Sequence, residues 1–260
     1  MSYINKLFSL KNKVAVVTGA ARGNGKIISE ALLRSGASVI LVDKQKKLLQ
    51  TTTNSFIKQG LDAHGFYCDI TNKSHITKLY NNIIESYERV DILVNNAAVS
   101  HPHSTIDYPE KLWDETYEVN LKAPFLISQK LVKIMKKQKS GAVIINITSI
   151  NAEIAFPNNP AYQTFKAALK QLSKSLALDF AEYGVRVNNI GPGYIKTEMT
   201  KNSWNDIKIR KARTERTVLD RWGISEDLIG VVIFLSSDAS SYITGQDIYV
   251  DGGWMIKGID

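Results

Sequence analysis

One cysteine, Cys68, stands in 260 residues, which excludes an internal disulfide and fits a reducing compartment. Six prolines and sixteen glycines are too few for a fibrous or disordered composition. No window approaches the run of about 18 apolar residues that a membrane span needs. The opening stretch "MSYINKLFSLKNK" has no apolar core of signal-peptide length, so a soluble, cytoplasmic protein without a membrane partner is expected. His101 and His103 lack a third neighbour at metal-ligand spacing, and no metal is expected.

Of the residues present, 44% are hydrophobic, an ordinary globular share. Thirty-three basic residues against twenty-five acidic ones give a net charge of +8, which raises nucleic-acid binding as a function. The lysines are scattered, however, and form no stripe with interleaved aromatics, so no specific nucleic-acid partner is expected.

Short β-branched runs at 13–18, 38–43, 64–69, 90–96, 142–148, 185–190 and 247–251 predict strands. Helical periods fall between them, at about 24–35, 45–59, 73–88, 109–138, 160–183 and 225–236. That alternation predicts a doubly wound α/β fold, a parallel sheet with helices on both faces. Several strands are apolar throughout, as strands covered on both sides must be. With no linker, repeat or low-complexity tract, 1–260 reads as a single domain. In such sheets ligands bind beyond the carboxyl ends of the strands, and 194–222, following the sixth strand, sits where a substrate lid would.

The first predicted strand runs into "TGAARGNG" and then a helix. Glycines at this turn let a pyrophosphate approach backbone N–H groups at a helix N-terminus, although the spacing here is GxxxGxG. The second strand ends at Asp43, eighteen residues after Gly25. A carboxylate there accepts hydrogen bonds from ribose hydroxyls and repels a 2′-phosphate, favouring NAD over NADP. Arg22 and Lys44 beside it work the other way, and an N-cap role is the alternative for Asp43. In "NNPAYQTFKAALKQL" (158–172), Tyr162 and Lys166 stand at i and i+4 on one helix face, beside the stripe Phe165, Leu169, Leu172 and Leu176. That placement suits a proton donor with a tuning cation. It equally suits a tyrosine that snorkels its hydroxyl to water beside a solvated lysine.

Taken in order, these motifs make the chain resemble the short-chain dehydrogenase/reductase family almost end to end. The likeness includes the glycine turn, "CDIT" with Asp69 and Ile70, "NNAA" at 95–98, "VNLKAPF" with Asn120, and "INITS" ending in Ser149. It continues with "YQTFK", "NNIGPGYIKT" (188–197) and "YVDGGW" (249–254), with Tyr162 thirteen residues after Ser149. The resemblance implies a seven-stranded Rossmann-type fold and a catalytic set of Asn120, Ser149, Tyr162 and Lys166. Tyr162 would exchange the proton, Ser149 would hold the reacting oxygen, and Lys166 would lower the tyrosine pKa and hold the nicotinamide ribose. Asn120 would anchor a relay water.

Cofactor contacts implied are Thr18, Gly19, Ala21, Arg22, Gly23, Asn24 and Gly25 at the turn, then Asp43, Asp69 and Ile70. Asn96, Ala97 and Ala98 follow, then Tyr162 and Lys166, and finally Pro192, Gly193, Ile195 and Thr197. The cofactor expected is NAD, with NADP as the alternative. Each catalytic residue also has a structural alternative: Ser149 as a turn residue, Asn120 as a partner for backbone groups. Departures from the family pattern are Asn24, Ala98 and the bulky Gln163, Thr164 and Phe165.

The ending "RWGISEDLIGVVIFLSSDASSYITGQDIYVDGGW" (221–254) is similar to gluconate 5-dehydrogenases and related sugar-acid or polyol members. A small sugar-like substrate is therefore expected, with reduction of acyl-carrier-bound 3-ketones as the rival. Candidate substrate contacts are Ser100, His101 and His103, then Ser149, Asn151 and Glu153, and Tyr194. The lid carries Lys201, Lys208, Arg210, Lys211, Arg213 and Arg216, one of which is expected to meet a substrate carboxylate or phosphate. The long helices at 109–138 and 160–183 carry more apolar surface than one sheet face needs. The resemblance, in a family whose members commonly pair through these helices and the C-terminal strand, implies a homotetramer, with a dimer second.

Overall fold

A computed structural model describes residues 2–138 and 140–258. Seven strands form one parallel sheet in the order β3-β2-β1-β4-β5-β6-β7. They are β1 Val14–Thr18, β2 Ser38–Asp43, β3 Ala63–Tyr67, β4 Ile92–Asn95, β5 Ala142–Ile147, β6 Val185–Pro192 and β7 Asp247–Val250. The helices are α1 Tyr3–Leu7, α2 Gly23–Arg34, α3 Lys46–Ile57, α4 Lys73–Ser86, α5 Glu110–Tyr117 and α6 Ala123–Met135. They continue as α7 Pro160–Asp179, α8 Lys201–Asn205, α9 Ile207–Arg216 and α10 Ile229–Ser236.

The strands are apolar because both sheet faces are covered. One face packs Ile28, Leu32 and Phe56 of α2 and α3 with Leu235 of α10, and the other packs Ile76, Leu79 and Ile83 of α4 with Ile127 and Leu131 of α6. Each such side chain contributes about 1.5–3 kcal/mol on burial. The edge strands β3 and β7, covered less completely, are the ones that carry exposed or half-buried residues. Chain order reverses between β1 and β4, and the crevice of a doubly wound sheet opens at that reversal.

Three sequence expectations change. The helix expected at 109–138 is interrupted by a wider π turn, Glu118–Lys122, where the Ala123 N–H bonds the Glu118 carbonyl five residues back. Pro124 explains it: proline has no N–H for the carbonyl of Asn120 four residues earlier, so regular α spacing fails there. The helix expected to 183 ends at Asp179, followed by a 3₁₀ turn Ala181–Tyr183 and Gly184 at φ 70°. The sixth strand runs on to Pro192, two residues past its expected end, and carries the chain to the cleft. Beyond it the lid forms the two helices α8 and α9. Among the described residues, no helix is long and apolar enough to cross a membrane.

Candidate active site

A cleft of about 450 Å³ opens at the carboxyl ends of the strands, lined from the glycine turn at one end to Ser149, Tyr162 and Lys166 at the other. At the turn, Gly19 takes φ 66°, and a Cβ on Gly25 would stand 2.1 Å from the Gly19 carbonyl oxygen. Only glycine fits these two positions. α2 begins at Gly23 with no side chain capping its first N–H groups, which leaves an anion-seeking helix end beside the cleft. Asn24, the departure from the family pattern, accepts a hydrogen bond from the Ser225 hydroxyl at 2.7 Å and ties the turn to the segment before α10.

Thr18 lies behind the lining. Its hydroxyl accepts from the N–H groups of Asn96 and Ala97 at 3.1 and 3.2 Å, and the Asn96 amide donates to the Thr18 and Gly19 carbonyls. Asp43 is buried, and its two oxygens accept the N–H groups of Ala21 (3.1 Å) and Gln45 (2.9 Å). The N-cap position of α3 belongs to Gln45 instead, which resolves the alternative raised for Asp43. Ala21 thus touches the carboxylate while standing outside the lining. Arg22 and Lys44 line the same end of the cleft. Burial opposes ionisation of Asp69, yet the Thr71 N–H and hydroxyl, with the charges of Lys44 and His75, hold its carboxyl below the ordinary value. Ile70, Ala98, Pro192, Gly193, Ile195 and Thr197 complete the expected lining.

At the reactive end, Ser149 follows β5 and Tyr162 and Lys166 lie on α7. Lys166 is only 2% exposed; its ammonium donates to the Ile147 carbonyl at 2.6 Å and lies 5.7 Å from the centre of the Tyr162 ring. The pair is therefore not a solvated helix surface. Its electrostatics also differ from the simple expectation that lysine lowers the tyrosine. Burial pushes the Tyr162 phenol up, opposed by the Ser149 hydroxyl, and burial brings Lys166 down to about 7. In the protein alone, desolvation outweighs the attraction between the two groups.

Asn120, on the π turn, is fully buried. Its amide oxygen accepts the Val99 N–H at 2.9 Å and its amide nitrogen donates to the Val99 carbonyl at 2.8 Å. The side chain pins the loop after β4, and one amide N–H and one lone pair of its oxygen stand outside those two bonds.

The substrate candidates divide. Ser100 and His101 line the cleft; Ser100 accepts from the Asn159 amide at 2.9 Å, and His101 Nε2 lies 3.3 Å from Glu115. His103 is exposed and outside the lining. Asn151 also falls outside, but its N–H donates to the Ser149 hydroxyl at 3.1 Å. Glu153 does not reach the cleft. It accepts from the Lys170 ammonium and the Tyr249 hydroxyl, and those two, lysine first, hold its carboxyl below the usual range. The 3₁₀ turn at Ile150–Ala152 swings the chain towards β7, which two-residue spacing from Asn151 does not reveal. Tyr194 is also outside the lining and belongs to an aromatic cluster with Phe156, Trp222 and Trp254.

The sequence reading missed several residues. Val99, Val119, Thr148, Met199 and Thr200 all line the cleft. A buried polar chain also crosses the sheet: Asn95 donates to Asn146, Asn146 to Ser173, Ser173 to Asn189, and Asn189 to Asp247, at 2.6–2.8 Å. Polar residues inside otherwise apolar strands were the available signal.

A doubly wound parallel sheet with a glycine turn at its switch point defines a dinucleotide-binding class of protein. The family model described as enoyl-(acyl carrier protein) reductase matches residues 19–255. The chain is 34% identical to the 5-keto-D-gluconate 5-reductase of Escherichia coli, over 97% of this chain and 99% of that one. It is 36% identical to an NAD-dependent glycerol dehydrogenase of Listeria innocua, over 97% and 98%. Among solved structures, a gluconate 5-dehydrogenase from Burkholderia cenocepacia in complex with NADP and tartrate superposes with a TM-score of 0.95 at 29% identity, over 98% and 100% of the chains. The protein belongs to the short-chain dehydrogenase/reductase family and is an NAD(P)-dependent oxidoreductase.

Proposed function

We propose that the protein interconverts a hydroxyl and a carbonyl on a sugar acid, as its relatives named for gluconate and ketogluconate do. The observation that carries this reading is the half-buried Tyr162 with buried Lys166 beside Ser149, in the same cleft as the glycine turn. Bound nicotinamide supplies the hydride chemistry. Tyr162 takes the hydroxyl proton during oxidation and returns one to the carbonyl oxygen during reduction. Ser149 donates a hydrogen bond to that oxygen, with its hydroxyl held in place by Asn151. Lys166 holds the nicotinamide ribose and, once charged, favours the phenolate. Asn120 shapes the wall through Val99.

The uncapped end of α2 takes the pyrophosphate, and Asp43 receives the adenosine ribose hydroxyls. Asp43 supports NAD as the preferred cofactor, with Arg22 and Lys44 close enough to let NADP bind as well. A panel of sugar acids, neutral polyols and keto acids, each assayed with both cofactors by reduced-nicotinamide absorbance, tests both parts. Turnover of polyols alone would overturn the substrate reading, and a preference for NADP would overturn the cofactor reading. An acetoacetyl thioester belongs in the panel, because the family description and the +8 charge favour an acidic acyl carrier as the second reading.

The chain is read as a single-domain cytoplasmic homotetramer. Exposed Trp113 and Tyr117 on α5 and Leu178 on α7 support association through these helices. Light scattering at monomer mass would refute it.

A further inference from the structure

Helix α9 buries none of its residues. It carries arginines at 210, 213 and 216, a three-residue spacing that keeps them on one side of the helix. Each guanidinium lies over an aromatic ring: Arg210 at 5.2 Å from Trp204, Arg213 at 4.1 Å from Tyr194, and Arg216 at 5.4 Å from Trp254. The rings form one cluster, with Tyr194 at 4.8 Å from Trp254 and 5.3 Å from Trp222, and Trp204 at 5.3 Å from Trp222. The lid helix is held to the protein by cation–π contact, with hydrogen bonds from the Trp222 indole N–H and the Lys257 ammonium to its carbonyls, in place of a buried apolar face.

The lid cations are not equivalent. Lys201 pairs with Glu198, Lys211 with Glu215, and Arg210 donates to the Trp204 carbonyl. Arg213 is half-buried, with neither a carboxylate partner nor a hydrogen-bond acceptor for its guanidinium among the described residues. Arg216 also lacks one but is exposed. The same cluster holds a second unanswered donor: the Trp254 indole N–H is buried without a hydrogen-bond partner, and Trp254 is 5% exposed. A buried donor without an acceptor is uncommon and calls for one.

This cluster adjoins the reactive end of the cleft. Ile195, next to Tyr194, is part of the cleft lining. Phe156, 6.0 Å from Tyr194, is fixed by its N–H to the side chain of Gln163, the residue after Tyr162. A sugar acid whose reacting carbon sits at Tyr162 carries its carboxylate several bonds away from that carbon, so the group that receives it stands apart from the reacting trio.

We propose that Arg213, assisted by the indole N–H of Trp254, receives the carboxylate of the substrate, so that α9 closes on acidic substrates and not on neutral polyols. The inference rests on the sugar-acid reading of the cleft. The guanidinium fork exchanges one ring face for a bidentate hydrogen bond, a geometry that lysine does not reproduce.

Gluconate and a neutral hexitol, assayed on wild-type, Arg213→Gln, Arg213→Lys and Arg216→Gln enzyme, provide the first test. Arg213→Gln is expected to raise KM for the acid by about 10–100-fold with kcat nearly unchanged, and to leave kcat/KM for the hexitol as it was. Arg213→Lys recovers part of the loss, and Arg216→Gln shows none. Equal losses on acid and hexitol overturn the proposal.

Binding supplies the second readout, because Trp204, Trp222 and Trp254 are three of the four tryptophans in the chain. In a Tyr162→Phe background, which blocks turnover, gluconate is expected to change tryptophan fluorescence saturably. Arg213→Gln should abolish that change, and the hexitol should not produce it. An Arg213-dependent signal without gluconate turnover by wild-type enzyme would sink the sugar-acid reading and leave the carboxylate site standing. Turnover with neither KM nor fluorescence dependent on Arg213 would do the reverse.

Discussion

The wall that carries Ser149, Tyr162 and Lys166 and the lid that faces it are held by different forces. On the wall, β5 is buried along nearly its whole length, and α7 packs Phe165, Leu169 and Leu176 into the protein. Lys166 is drawn into that core and anchored on the Ile147 carbonyl. On the lid, α9 buries nothing and rests its arginines on aromatic rings, contacts of about 0.5–1 kcal/mol each at exposed sites. Proton transfer needs atoms fixed to a fraction of an ångström, and the residues proposed for it sit on elements packed into the core. Substrate entry and release need an element that opens at small cost, and the weak contacts of α9 suit the lid role proposed for it.

The contrast is most sharply broken at Tyr162. Tyr162→Phe is expected to lower kcat by about 100–10,000-fold with cofactor affinity and Tm little changed, measured by steady-state kinetics and calorimetry. A variant that keeps a tenth of wild-type kcat would remove Tyr162 from the acid–base role.

Lys166 comes next, because its charge conflicts with its burial. An unfolded lysine titrates near 10.4, whereas burial brings Lys166 down to about 7. Between those values the unfolded chain holds a proton that the folded chain does not, so stability rises with pH across that window. Lys166→Met removes the penalty. It is expected to raise Tm by a few degrees at about pH 7 and to lose the advantage as pH approaches about 10, while activity collapses. A Tm difference that does not vary with pH would show that Lys166 is charged in the folded protein throughout.

On the lid, Trp204→Leu takes the ring from beneath Arg210 and Lys196, which lie 5.2 and 4.3 Å from its centre. A several-fold rise in KM with a Tm change within about 1–2 °C is expected, given the size of such contacts. Cooperative loss of Tm would make α9 part of the core after all.

The smallest effect belongs to Glu153. Its carboxyl, held low by Lys170 and Tyr249, contributes stability above the unfolded value of about 4.3 and loses it as pH falls through the folded value. Glu153→Gln should cost about 1 kcal/mol near pH 7, a cost that shrinks as pH falls below the unfolded value, and leave every KM unchanged. A raised KM for the sugar acid would return Glu153 to the substrate site.

Legibility in the sequence followed the same division. The strands were readable because a sheet covered on both faces demands unbroken apolar runs, and "AVIINIT" and "SVILVD" supply them. The glycine turn and the one-turn spacing of Tyr162 and Lys166 were readable because local backbone geometry dictates both. The π turn had a signal in Pro124, but helical periodicity on either side concealed it. Glu153 and Tyr194 were misplaced because neighbours in sequence need not face one cavity once a turn redirects the chain.

The amino-acid order by itself determined the seven strands, the glycine turn and the one-turn spacing of Tyr162 and Lys166, since each depends on periodicities within a few residues, and the ordered motifs together carried the family resemblance that pointed to Ser149. The tertiary structure decided what those side chains experience. The depressed Lys166, the Asn120–Val99 clasp and the arginines stacked on Tyr194 and Trp254 join segments well separated in the chain. Burial and partner, the quantities that set a pKa or leave a guanidinium free for a ligand, exist only when those segments meet.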